Sequence, residues 1–274
     1  MIAAPLRVYA GGDTHGGRGI GMARRILLLN PNITEAITAT MAEEARRVAG
    51  PGTTIIPATA RFGTQYIENR VEAAIAGHAV LEALAEKAAG CDAAIVAAFG
   101  DPGLFAAKEM LEIPVVGIAE AAFLTAYTLG RRYAIVCLTP RLAVWFRECA
   151  EEHGLAGRLV SVRALDVPPS DITDAKAQTG RRLVEACLEA VDRSGAEVVI
   201  MGGGPIAGLA RTVAHEIPVP VLDGVSCAVR LAEALVDMAP RPALRGSFAR
   251  PAAKPSRGLT PALRAWVERD DAAE

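Results

Sequence analysis

The chain has 274 residues, enough to bury one large core or two smaller ones. Its 29 basic and 31 acidic residues leave a formal charge of −2, and only 4% of residues are aromatic, which excludes the basic, stacking surface of a nucleic-acid binder. No apolar run approaches the roughly 20 residues of a membrane span, so the expected partner is a small molecule.

Residues 1–23 carry Gly11, Gly12, Gly16, Gly17, Gly19 and Gly21 ahead of the first strand, whereas a phosphate-binding glycine turn follows one. They are expected to be a flexible leader. A strand over 25–30 then ends at Asn30, and a helix over 34–49 begins just past Asn32. Asn32 suits a helix cap as well as a ligand contact, while Asn30 reads better as a ligand contact. A strand over 53–57 precedes Arg61, Tyr66 and Arg70, a trio able to grip an anion, although surface arginines pair routinely with nearby glutamates. Helix 68–89 leads to the strand 93–98, whose end runs into Phe99, Gly100, Asp101 and a Pro-Gly turn that opens helix 103–111.

The pattern continues with strand 114–118, helix 119–129, strand 132–137, helix 140–153, strand 158–165, helix 174–193 and strand 197–202. The turn Gly202-Gly203-Gly204-Pro205 bares three backbone amides before helix 206–214, which suits an anion or a close approach of chain segments. Strand 219–222 ends beside Asp223 at the start of helix 224–237, where a carboxylate is also a natural cap. From about Pro240 a Pro- and Arg-rich extension is expected to cross the surface or reach another subunit. Strands that read as continuous Val/Ile/Leu/Ala runs between helices imply an α/β fold with parallel sheets covered on both faces.

A duplication organises these elements. GCDAAIVAAFGDPGLFAAKEMLEIPV (90–115) matches GAEVVIMGGGPIAGLARTVAHEIPV (195–219), and RRILLLNP (24–31) is echoed by RRYAIVCLTP (131–140). Two pseudo-symmetric lobes follow, the first over 24–117 and completed by 218–238, the second over 118–217, with 239–274 as the extension. Ligands in open parallel sheets bind beyond the carboxyl ends of the strands, so the cleft between the lobes is the expected site. The repeat sets Ala98 opposite Gly203 there.

Asn30-Pro31-Asn32, the run from Phe99 to Leu104, Ala207-Gly208-Leu209-Ala210 and Asp223-Gly224-Val225 together resemble the aspartate/glutamate/hydantoin racemase family, in its hydantoin and allantoin branch. That resemblance implies the same two-lobed fold, no cofactor, and one cysteine at each of two strand ends acting as base and acid on an acidic Cα–H. Those two positions read Ala98 and Gly203 here, and neither side chain exchanges protons. Of the cysteines present, Cys91, Cys149 and Cys187 read as core or surface, and Cys137 and Cys227 do not form an evident replacement pair. Their scatter, without C-x-x-C pairs, suggests no metal site or disulfide framework, and the odd count fits a reducing, cytoplasmic setting.

The expected function is therefore action on a small carboxylate or cyclic amide through an enolate-like intermediate, without two-thiol chemistry, by a homo-oligomer. Asp101 or Tyr66 would move the proton. The alternative is a non-catalytic binding or regulatory protein that kept the cleft.

Overall fold

The structure, a computed structural model, describes residues 23–168 and 179–269. The expected leader, the first residues of the expected helix 174–193, and the last five residues lie outside the described part. Two four-stranded parallel sheets carry the fold. The first holds β1 (Arg24–Asn30), β2 (Thr53–Thr59), β3 (Ala93–Val96) and β4 (Val115–Gly117) in the order β2-β1-β3-β4. The second holds β5 (Tyr133–Cys137), β6 (Leu159–Ala164), β7 (Val198–Met201) and β8 (Val221–Asp223) in the matching order β6-β5-β7-β8. Every residue of β3, β5 and β7 is buried, because helices cover both faces.

The α-helices among the described residues are α1 (Glu35–Val48), α2 (Arg70–Lys87), α3 (Leu104–Met110), α4 (Ile118–Leu129), α5 (Pro140–Glu152), α6 (Gly180–Ser194), α7 (Leu209–Val213), α8 (Gly224–Met238) and α9 (Pro261–Val267). Local chemistry fixes several starts. Asn69 accepts the Glu72 N–H ahead of α2, and Thr139 accepts the Leu142 N–H ahead of α5, whose first residue is Pro140. In α1 the buried Ile37, Met41 and Ala45 recur every four residues and make the stripe that faces inward.

The stretch 218–238 divides between the lobes. β8 pairs with β7 in the second sheet, while α8 packs on β3 and β4 of the first. Its counterpart α4 does the reverse and packs on β7, and α4 and α8 also pack against each other. One continuous core consequently runs through both lobes, from Ile26 and Leu28 to Ile135 and Val199. Burying each such side chain contributes about 1.5–3 kcal/mol, so this exchange of helices is a large part of what holds the lobes together. The extension packs on the first lobe through α9, where Leu263 is buried and the Trp266 indole donates to the Met110 carbonyl at 3.0 Å.

Candidate functional site

Two corners of the chain meet at the carboxyl ends of the sheets. Strand β3 stops at Val96, its ladder continued by the Ala97 N–H donating to Leu29 at 2.8 Å, and the chain then turns through Ala98, Phe99 and Gly100. Strand β7 stops at Met201, with the Gly202 N–H donating to Val136 at 2.9 Å before Gly203, Gly204 and Pro205. Ala97, Ala98 and Phe99 line one cleft together with Gly203, Gly204 and Pro205. The two positions that the repeat set opposite each other thus face the same space. Gly202 lies behind that wall against the Phe146 ring, and Gly100 lies under Trp145, where a β-carbon would come within 2.5 Å of the indole.

The remaining walls are mostly apolar: Ile37, Ile67, Leu138, Leu142, Trp145 and Phe146. Sequence reasoning missed the four residues from Leu138 to Phe146, since their helical spacing is the ordinary signature of a core face. The cavity volume is about 40 Å³, room for a few waters, so a ring-sized ligand requires the walls to part.

Polar groups in the cleft are few. Asn32 is buried, and its side-chain oxygen accepts from the Thr34 N–H and from Asn30 Nδ2, both at 2.9 Å. Its own Nδ2 has no protein acceptor among the described residues. Asn30, by contrast, is fully buried beneath the cleft and spends its amide on Asn32, Thr34 and Thr38. Asn30 is therefore the support and Asn32 the lining residue. Tyr66 also lines the cleft; its hydroxyl donates to Glu68, which in turn accepts from Thr139 of the second lobe at 3.3 Å. Burial first, and then Glu68, push the Tyr66 phenol well above its ordinary value, so it stays protonated.

Other sequence candidates sit elsewhere. Asp101 does not line the cleft: its carboxylate accepts the Ala119 and Glu120 N–H groups at the start of α4, at 3.0 and 2.7 Å, and meets His153 Nε2 at 3.1 Å. It borders a second cavity of about 250 Å³ behind Trp145, and burial raises its pKa despite the opposing pull of His153. Asp223 caps α8 by accepting from Ser226 at 2.9 Å and also holds the Gly208 N–H at 2.7 Å. The arginine side chains are 72% and 73% exposed; Arg61 pairs with Glu86, and Arg70 with Glu148 of α5, outside the cleft lining.

All five cysteines are free, and none lines the cleft. Burial pushes the Cys137 thiol up to about 12 and that of Cys227 to about 11, so neither supplies a thiolate near neutral pH. No helix among the described residues is long and apolar enough to cross a membrane.

Duplicated lobes of order 2-1-3-4, with a cleft formed by paired strand-end corners, define a pseudo-symmetric α/β protein of the racemase type. The chain belongs to the Asp/Glu/hydantoin racemase family, whose model matches residues 26–232, and within it to the hydantoin and allantoin racemase branch. It is 34% identical over 232 residues to the hydantoin racemase of Paenarthrobacter aurescens, an alignment that covers 84% of this chain and 98% of that one. The structure of allantoin racemase from Klebsiella pneumoniae is similar with a TM-score of 0.83 and 36% identity, covering 88% of this chain and 99% of that one. Allantoin racemase from Pseudomonas fluorescens gives 0.82 and 35%, over 85% of this chain and all of the other.

Proposed function

We propose that the protein takes a hydantoin- or allantoin-like cyclic amide, or a related small carboxylate, into the cleft between its lobes and exchanges or replaces a group at an acidic carbon through an enolate-like intermediate, without two thiols and without a cofactor. The observation that carries this reading is that Ala98 and Gly203 face one cleft which no cysteine lines. The close relatives named hydantoin and allantoin racemase support the substrate class. The apolar wall of Phe99, Leu142, Trp145 and Phe146 favours an apolar substituent on that ring.

Tyr66, rather than Asp101, is the group placed to handle a proton, because Asp101 is occupied with α4 and His153. In this scheme the proton leaving the Cα–H bond passes to the Tyr66 oxygen while the Tyr66 proton passes to Glu68. The electron pair spreads onto the adjacent carbonyl oxygen, where Asn32 Nδ2 and the Gly203 and Gly204 N–H groups are the available donors. The proton returns by the same path. With one relay on one face, the carbon exchanges its hydrogen and keeps its configuration. Cytoplasmic location and homo-oligomeric assembly belong to the same proposal; light scattering in solution checks the second.

Incubating the protein in D2O with a panel of 5-substituted hydantoins, allantoin and small dicarboxylic acids tests the scheme. Deuterium is expected at the acidic carbon with retention, and Tyr66→Phe is expected to slow its entry by about 100-fold or more. Racemisation at the rate of exchange would require a second proton carrier and sink the one-face scheme. A compound that raises the melting temperature with no exchange or product would assign the cleft to binding alone.

A further inference from the structure

The corner that carries Asp101 gathers a set of donors with no part in the cleft chemistry. Cys149 and His153 lie four residues apart at the end of α5, on one face of the helix, and Asp101 comes from the first lobe. Their sulfur, one imidazole nitrogen and a carboxylate oxygen all lie within 4.8 Å of one another, and His153 Nε2 stands 3.1 Å from Asp101. The His153 and Asp101 side chains are only 5% and 2% exposed, and Cys149 is buried.

The other lobe shows what this position does when ordinary hydrogen bonds suffice. Ten residues after their N-caps, Thr34 and Thr139, α1 carries Glu44 and α5 carries Cys149. Glu44 crosses to the second lobe's corner and is met by Ser226 Oγ at 2.6 Å and by Arg47. A hydroxyl and a guanidinium complete that junction. At the corresponding place on the first lobe stand a thiol and an imidazole beside a carboxylate, the donor set of a borderline divalent ion.

We propose that Asp101, Cys149 and His153 form a binding site for a zinc-type divalent cation that fastens α5 of the second lobe to the strand-end corner of the first. At bond lengths of roughly 2.0–2.3 Å, tetrahedral ligand atoms stand about 3.3–3.8 Å apart, so the sulfur closes by about 1.5 Å at most while the His153–Asp101 pair, now at 3.1 Å, opens slightly. The Asp101 carboxylate is already oriented by the Ala119 and Glu120 N–H groups, and the His153 ring is held by Phe105 and Phe123 at 5.2 and 6.0 Å between ring centroids. The second cavity reaches Asp101 and gives an ion its way in, with solvent as the fourth ligand. Binding breaks the Cys149 S–H bond, forms a sulfur–metal bond and releases that proton to solvent, while the hydrogen between His153 Nε2 and Asp101 shifts to His153 Nδ1 and frees Nε2 to ligate.

The experiment is cobalt(II) titration of the full-length protein after chelator treatment. One ion per chain is expected, with a thiolate-to-cobalt charge-transfer band, tetrahedral d–d absorption, release of about one proton, and displacement by zinc. Cys149→Ser should abolish the charge-transfer band, and His153→Gln should weaken binding at least tenfold, while Cys137→Ser leaves both unchanged. Circular dichroism checks that each variant is folded. Wild-type protein without the charge-transfer band, or a band that survives in folded Cys149→Ser, overturns the proposal. Neither outcome depends on whether the cleft exchanges hydrogen.

Discussion

The two strand-end corners descend from one duplicated unit, yet they tie themselves down from opposite ends. Both turn into a short helix through a left-handed glycine, Gly103 at φ +75° and Gly208 at φ +83°. Both bring a carboxylate between the corner and the start of the next long helix. In the first lobe Asp101 sits on the corner and reaches forward to α4; in the second, Asp223 sits at the helix start and reaches back to Gly208. The strand registers show the exchange: Val96 pairs with Gly117 in the first sheet, and Met201 with Asp223 in the second. Gly117 is glycine because a β-carbon there would lie 2.2 Å from the Asp101 carboxyl carbon. What the two lobes share is an interaction, and the residue that supplies it is free to move.

The largest expected effect comes from breaking the first of these ties. Asp101→Ala leaves the Ala119 and Glu120 N–H groups without their acceptor and His153 without its partner, and should cost about 3–5 kcal/mol in urea unfolding. Adding Gly117→Asp to that variant rebuilds the second lobe's arrangement in the first. Gly117, at φ −87° and ψ 147°, already has backbone angles close to the −109° and 128° of Asp223, and the clash disappears with the Asp101 side chain. The double variant should recover about half of the loss, His153 still lacking its partner. Failure to recover any of it would mean that the correspondence between the corners is only geometric.

A smaller effect separates the two cleft positions. Ala98 is not among the residues with positive φ and already carries a β-carbon, so Ala98→Cys should change stability by less than about 1 kcal/mol. Gly203 has φ +137°, a conformation that side chains avoid, although a β-carbon there would meet nothing nearer than 3.8 Å. Gly203→Cys should therefore cost about 1–3 kcal/mol through the backbone alone, read as a fall in melting temperature. Restoring both thiols consequently does not restore a symmetric pair. Equal melting temperatures for the two variants would show that this turn relaxes without strain.

The same asymmetry explains how far the sequence could be read. Continuous apolar runs and the repeated Glu-Ile-Pro-Val segments determine two parallel sheets and make Ala98 face Gly203, since such patterns have few solutions once both faces of a sheet are covered. The exchange of α4 and α8 between sheets was not legible, because each helix has an apolar face that would suit either. Nor was the division between Asn30 and Asn32, two residues apart, as buried support and lining residue. Trp145 and Phe146 were hidden for a related reason: a helical stripe that closes a cleft has the same spacing as one that fills a core. Asp101 looked reactive because carboxylates at strand ends often are. Its three partners come from residues 119, 120 and 153, a coincidence of tertiary packing.

The smallest effect concerns Arg61 and Arg70, the two arginines of the 60–70 segment. Both are largely exposed and each forms one ion pair, so Arg61→Ala and Arg70→Ala should each change stability by no more than about 1 kcal/mol. They differ in what they join. Arg61 reaches Glu86 within the first lobe, whereas Arg70 runs from α2 to Glu148 on α5, the helix that carries the cleft's aromatic wall. A cleft of about 40 Å³ has to open before a ring enters, and the Arg70 pair is one of the contacts that hold α5 to the first lobe. Arg70→Ala should therefore speed ligand association in stopped-flow measurements at low salt while Arg61→Ala does not, and the difference should shrink as added salt screens the pair. Identical association rates for the two variants would place the opening elsewhere, the Glu68–Thr139 contact between the lobes being the next candidate.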